Sequence, residues 1–210
     1  VRFYEHFELS GSQFELLRSE AKQLEASADL VGSDTCALEF GIAVNDRGRC
    51  RVSGPGRNLR AFHKLSGLDF ASEFSGIEAP IFPTRASYIY YESGDYSFFH
   101  HDAASAHITL IVAISDELTP LVLFPQFGRA TPADIVLLNR MGNLPLYDLC
   151  TEMGDAFGER GRSVEVELPL GCALAIPGRA IPHARPQQTS GGAVCTMCYS
   201  FIDPPSAFAL

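Results

Sequence analysis

Apolar and polar positions divide this chain into two unlike parts. Up to about residue 80, apolar residues recur at helical spacing. In "SQFELLRSEAKQLEASADL", residues 12–30, Phe14, Leu17, Ala21, Leu24 and Ala28 fall on one face of a helix. Ser12 and Glu15 have the spacing of a capping box at its start. A strand is expected over 35–44, and "VSGPGRN" reads as a loop. A second helix is expected over 58–74, carrying Leu59, Phe62, Leu65 and Phe70. From about residue 86 the pattern changes to short apolar runs: "SYIYY", "HITLIVAI", "LVLFP", "IVLLN", "VEVEL", "ALAIP" and "AVCTMCYSFI". Pro, Gly and Asp separate them. Many short strands punctuated this way predict a β-sandwich or barrel. One helix is expected to interrupt them at about 144–157. The result is an α+β chain in one domain, with a helical buttress over about 1–80 and a β core over about 86–203.

Composition narrows the function. With 210 residues, 46% of them hydrophobic, the chain is long enough for one domain with a real core. Its formal net charge of -9, with scattered basic residues, disfavours a nucleic-acid partner. No apolar run reaches the roughly 18 residues of a membrane span. The opening "VRFYEHFELSG" lacks the apolar centre of a signal peptide. Six cysteines do not read as a disulfide framework in a chain of this length. Cys195 and Cys198, three apart on an expected strand, point to opposite faces and do not form a redox or zinc pair. The expected setting is a reducing cytoplasm.

The candidate chemistry lies in "YYESGDYSFFHHDAASAH", residues 90–107. On a strand, His100 and Asp102 share a face, with His101 turned away. An imidazole and a carboxylate side by side supply two ligands to a divalent metal. His183, just beyond a Gly-led apolar strand and a turn in "GCALAIPGRAIPHARP", is the best third ligand. Two histidines and one carboxylate on one face of a metal leave positions open, the facial triad of non-haem Fe(II) oxygenases. Tyr88 and Tyr90 share one strand face, Ile89 and Tyr91 the other. Tyr88 and Tyr90 are expected to line the site, with Phe98, His107 and the loop "FPQFGRATP" around its mouth.

On these residues the chain resembles the Fe(II)- and 2-oxoglutarate-dependent dioxygenases of the prolyl-hydroxylase-like branch. The likeness lies in Tyr91, Gly94 and Phe98 before His100 and Asp102, in the Thr-containing strand "HITLIVAIS", and in the strand and turn leading to His183. It covers about residues 86–201. The resemblance implies a double-stranded β-helix (jelly roll) with Fe(II) held by His100, Asp102 and His183, and with 2-oxoglutarate and O2 as co-substrates. It implies oxidation of a small molecule by hydroxylation, desaturation or cyclisation, and Asp102 disfavours halogenation. An amino acid or natural-product intermediate is the expected substrate class. The chain departs from the family in one respect. A basic residue usually stands about ten positions after the second histidine and pairs with the far carboxylate of 2-oxoglutarate. Here that position is Ala193, and no basic residue follows Arg185. Side-chain alternation brings Arg185 to the face of His183, so Arg185 is the expected anchor and Arg179 the second candidate. Two alternatives follow from the gap at Ala193: an Fe(II) oxygenase that uses O2 without 2-oxoglutarate, and a non-catalytic metal-binding jelly roll.

Overall fold

In the computed structural model, residues 3–31, 48–125 and 163–202 are described. The strand expected over 35–44, the run at 135–139, the helix over 144–157 and most of "FPQFGRATP" lie outside them. The described strands are β1 (Glu5–Glu8), β2 (Asp29–Val31), β3 (Gly48–Ser53), β4 (Phe82–Tyr91), β5 (Tyr96–His100), β6 (Ile108–Ala113), β7 (Leu121–Leu123), β8 (Val164–Val166), β9 (Cys172–Ile176), β10 (His183–Arg185) and β11 (Gly192–Ser200). Among the described residues, three α-helices precede β4: α1 (Gly11–Leu24), α2 (Arg57–Lys64) and α3 (Ser66–Ser75).

The strands form two antiparallel sheets that share β3. One sheet runs β1-β9-β6-β11-β4 and takes in Arg51–Ser53 of β3. The other runs β8-β7-β10-β5 and takes in Gly48 and Arg49. Side-chain alternation on β4, β6 and β11 separates two cores. Tyr88, Tyr90, Leu110, Val112, Cys195, Met197 and Tyr199 pack with Leu17, Ala21, Leu59 and Phe62 of the helices. Tyr91, Ile111 and Val194 pack with Leu121, Leu123, Val166, Leu174 and Ile176 between the sheets. Strand β6 is buried along its whole length because helices cover one face and the second sheet covers the other. That is why "ITLIVA" is a continuous apolar run without alternation. This arrangement is a jelly roll with helices on one outer face.

Three local expectations need correction. The helix expected over 12–30 ends at Leu24, and a 3-10 turn (Glu25–Ser27) and β2 follow it. The capping box of α1 is Ser10 with Gln13, not Ser12 with Glu15: Gln13 N donates to Ser10 Oγ at 3.3 Å, and Ser10 N donates to Gln13 Oε1 at 2.9 Å. The helix expected over 58–74 is two helices. Leu65 leaves helical geometry (φ −119°, ψ −102°) and is exposed.

Glu20, buried on α1, ties helices and sheet together. Its Oε1 accepts from Asn58 N at 2.7 Å, and its Oε2 accepts from Leu59 N and from the Tyr88 hydroxyl, both at 2.9 Å. The first two donors belong to the first turn of α2, whose N-cap residue is Gly56, with no capping side chain of its own. A carboxylate from another helix therefore caps α2. Gly56 is needed for this, since a Cβ there would collide with the Glu20 carboxylate. Replacing Glu20 by Ala strands three donors, two of them buried, and should lower stability by about 3 kcal/mol. Tyr88→Phe, which removes one of them, should cost about 1 kcal/mol. Urea denaturation of the two variants checks both values.

Candidate metal centre

Two adjacent segments deliver the site. A tight turn ends β4: Asp95 N donates to Glu92 O at 3.0 Å, and Asp95 Oδ2 accepts from Glu92 N at 2.8 Å. Gly94 sits in that turn at φ +92°, a value that disfavours residues with a Cβ. The chain returns as β5 and ends at His100, with Asp102 two residues on. Strand β10 lies against β5 with His183 directly opposite His100. The two imidazole centroids are 4.5 Å apart.

Asp102 stands between the histidines. Its Oδ1 is 3.8 Å from His100 Nε2 and 3.7 Å from His183 Nε2. Those spacings are too long for hydrogen bonds. They suit two ligand atoms that each lie about 2.1 Å from a shared divalent ion. One donor atom from each of His100, Asp102 and His183 falls within 4.8 Å of the others, and His101 contributes none to this group.

The surroundings orient each donor. His183 Nδ1 donates to Ile181 O at 3.1 Å, which fixes the tautomer and leaves the Nε2 lone pair toward Asp102. Burial pushes the pKa of His183 down to about 4, so the imidazole is neutral at pH 7, the form that binds metal. The Thr109 hydroxyl donates to Asp102 Oδ2 at 2.5 Å, leaving Oδ1 to face the histidines. Burial pushes the Asp102 carboxyl up, but His183, His100 and the Thr109 hydroxyl outweigh it and hold the acid below the usual carboxylate range. Asp102 N donates to Gly178 O at 3.0 Å. A Cβ at Gly178 would strike both the Asp102 carboxylate and the Thr109 hydroxyl. Thr109 and Gly178 are the supporting residues that sequence reading did not single out. Their signals were a threonine at an inward position of "HITLIVAI" and a glycine in the turn before His183.

The remaining candidates divide. Tyr88 and Tyr90 do not line the site. Their hydroxyls donate to Glu20 Oε2 and, at 2.7 Å, to Ala21 O, under the helices. Tyr91, on the opposite face of β4, packs inside the barrel. The expectation failed because both faces of β4 are covered, so aromatic side chains suit either one. Arg185 is inward and 2% exposed, its Nη1 donating to Thr119 O at 2.8 Å and its guanidinium 5.5 Å from the Tyr91 ring centroid. Arg179 is exposed on the turn after β9 and lies 3.2 Å from His107 Nε2, away from the interior. Ala193 leaves no space inside the barrel, since it packs on the helix-covered face and Val194 takes the inward position. Cys195 and Cys198 point to opposite faces, as expected. Cys195 joins the helix-side core, while Cys198 Sγ lies 3.9 Å from Thr109 Oγ1.

Comparison of the sequence with protein-family models and with curated proteins returns no match. Solved structures do resemble the fold. A prolyl-4-hydroxylase from Pseudomonas putida superposes with TM-score 0.61 at 10% identity, covering 95% of this chain and 93% of that one. The carbocyclase SnoK from nogalamycin biosynthesis, described as non-haem and α-ketoglutarate-dependent, gives 0.63 at 14% identity, with 95% and 79% coverage. HygX from Streptomyces hygroscopicus, solved with nickel, 2-oxoglutarate and hygromycin B, gives 0.59 at 11% identity, with 94% and 82% coverage. The fold is that of the prolyl-hydroxylase-like Fe(II)/2-oxoglutarate oxygenases. No helix among the described residues is long and apolar enough to cross a membrane.

Gly178→Ala and Thr109→Val should each weaken divalent-metal binding about 10–100-fold, because each disturbs a residue that orients a ligand. Competition with a chromophoric chelator measures this directly. Burial pushes the Cys198 thiol up to about 12, and Cys195 is raised as well. At pH 8 iodoacetamide should label neither cysteine in the folded protein and both after denaturation, as read by mass spectrometry.

Proposed function

We propose that this protein is a non-haem Fe(II)- and 2-oxoglutarate-dependent oxygenase acting on a small molecule, an amino acid or natural-product intermediate. The reaction is hydroxylation, desaturation or cyclisation. The observation that carries the reading is the meeting of His100, Asp102 and His183, with Asp102 Oδ1 3.7–3.8 Å from both Nε2 atoms. Fold likeness to enzymes such as SnoK and HygX supports the substrate class.

Bound Fe(II) would supply oxygen activation coupled to oxidative decarboxylation of the oxo acid. The protein's part is to hold and orient. His100 and His183 would each offer a ring nitrogen and Asp102 one carboxylate oxygen, leaving the rest of the ion's coordination to co-substrate and oxygen. Thr109 keeps the second oxygen of Asp102 engaged and so favours a single-oxygen contact. The apolar residues packed between the sheets, Ile111, Leu123, Ile176 and Val194 among them, would keep water from the inner side of the metal site. His107, hydrogen-bonded to Arg179, would stand at the rim that an incoming substrate passes. An oxygenase working without 2-oxoglutarate is the second reading, favoured by the apolar Val194 at the inward position of the last strand. Succinate formed in step with oxygen uptake distinguishes the two. Metal binding without oxygen uptake would point to a non-catalytic protein.

His100→Ala, Asp102→Ala and His183→Ala should each abolish turnover and lower bound iron to background, while His101→Ala keeps the metal. Iron content by mass spectrometry, together with succinate release, tests the set. Iron lost from the His101 variant and kept in the His100 variant would shift the ligand assignment by one residue.

A further inference from the structure

We propose that Arg85, on the inner face of β4 in line with Thr109 and Asp102, receives a carboxylate of the molecule to be oxidised, so that the substrate of this protein is a carboxylic acid. The proposal rests on the oxygenase reading above and adds to it the chemistry of the substrate and the residue that selects it.

Strand register places the residue. Ala86, Tyr88 and Tyr90 of β4 pack under the helices. Alternation therefore turns Arg85, Ser87, Ile89 and Tyr91 to the other face. Ile89 and Tyr91 pack between the sheets, and Ser87 Oγ lies 3.1 Å from Thr196 Oγ1 of β11. Arg85 pairs with Cys198, and Cys198 pairs with Thr109 of β6. One row across the sheet thus runs Arg85, Cys198, Thr109, and the Thr109 hydroxyl holds Asp102. Two strand spacings separate the ends of this row, about 10 Å in all. A span of that size takes a small molecule with its carboxylate at Arg85 and a carbon a few bonds away beside the candidate metal ligands. The inner face is also divided along the strands. Toward the β4–β5 turn it carries Ile89, Ile111 and Val194. Toward Asp102 it carries Arg85, Ser87, Thr109, Thr196 and Cys198.

Charge agrees with position. Arg85 is exposed, and among the described residues it enters no ion pair. Burial raises the Asp102 carboxyl, and His183, His100, the Thr109 hydroxyl and then Arg85 lower it. Burial likewise raises the Cys198 thiol; Asp102 adds to that rise, and Thr109 and Arg85 offset part of it. Cys198 therefore feels both the carboxylate and the guanidinium. Asp102 does not use up the arginine, because its own oxygens are engaged. Oδ2 accepts from Thr109, and Oδ1 faces the two histidines. The planar fork of Arg85 is left for an incoming acid, which it matches in two-point contact. Arg179 is a poorer receiver, since its Nη1 already lies 3.2 Å from His107 Nε2. The chain carries a formal net charge of -9, so its overall field does not attract an anion. An acid is recognised here by local contact.

Ligand proton relaxation on protein loaded with Mn(II) and 2-oxoglutarate tests the assignment, since Mn(II) speeds the relaxation of protons held near it. The probes are small carboxylic acids, each beside its carboxamide: the common L-amino acids and benzoic, phenylacetic and cinnamic acids. An acid of this panel should bind near the metal and more tightly than its amide. In Arg85→Gln its affinity should fall about 10–100-fold, with amide, Mn(II) and 2-oxoglutarate affinities unchanged, and Arg85→Lys should recover part of the loss. The melting temperature of Arg85→Gln should match the parent's, because the side chain is exposed. A panel in which no acid binds more tightly than its amide overturns the proposal and leaves the oxygenase reading standing. So does an Arg85→Gln variant that keeps the preference for the acid. Weaker 2-oxoglutarate binding in Arg85→Gln would assign the residue to the co-substrate, and altered Mn(II) binding would make it a partner of Asp102; either overturns the proposal. A parent that binds neither Mn(II) nor 2-oxoglutarate overturns the oxygenase reading as well.

Discussion

The pairing of β10 against β5, with His183 facing His100, is the contact on which the candidate centre depends. These residues are distant in sequence, and neither local segment could assemble three ligands alone. A slip of one residue would turn His183 out of the cluster and put Pro182 or Ala184 in its place. The register is held from both sides. His183 also lies opposite Leu123 on β7, and Leu123 is buried between the sheets. Apolar packing therefore fixes the alignment, and the polar chemistry is carried along with it.

Much of the site was legible in the sequence because its key features are local. The same-face spacing of His100 and Asp102 follows from strand geometry alone. The strand and turn before His183 marked a second delivery point, and the inward direction of Arg185 followed from alternation beyond it. The α+β division was equally plain, since the apolar period changes near residue 80. The misreadings share one physical cause. Alternation shows which residues share a face but not which face is the interior when both are covered. Tyr88 and Tyr90 were placed inward and belong to the helix side, and Ala193, at the position where the family carries its basic residue, also faces the helices. The break at Leu65 was hidden because the apolar pattern continues across it while the backbone turns.

The site also shows how an acidic chain concentrates cationic groups without clustering them in sequence. Arg185 lies inside the barrel and Arg179 outside it, though only six positions separate them on adjoining elements. The interior guanidinium meets backbone carbonyl and aromatic ring, and the exterior one meets imidazole at an exposed position. Burial alone gives the two arginines different surroundings.

The carboxylate of Glu20 has a consequence for how this protein folds. One side chain satisfies donors from α2 and from β4 while belonging to α1. The helices are therefore not a detachable cover. A jelly roll stripped of α1 would expose the Tyr88 and Tyr90 face and uncap α2 in the same event. Helices and sheet should thus open as one cooperative block, with the amides of Asn58 and Leu59 exchanging hydrogen at the rate of the central strands and not at that of a surface helix end.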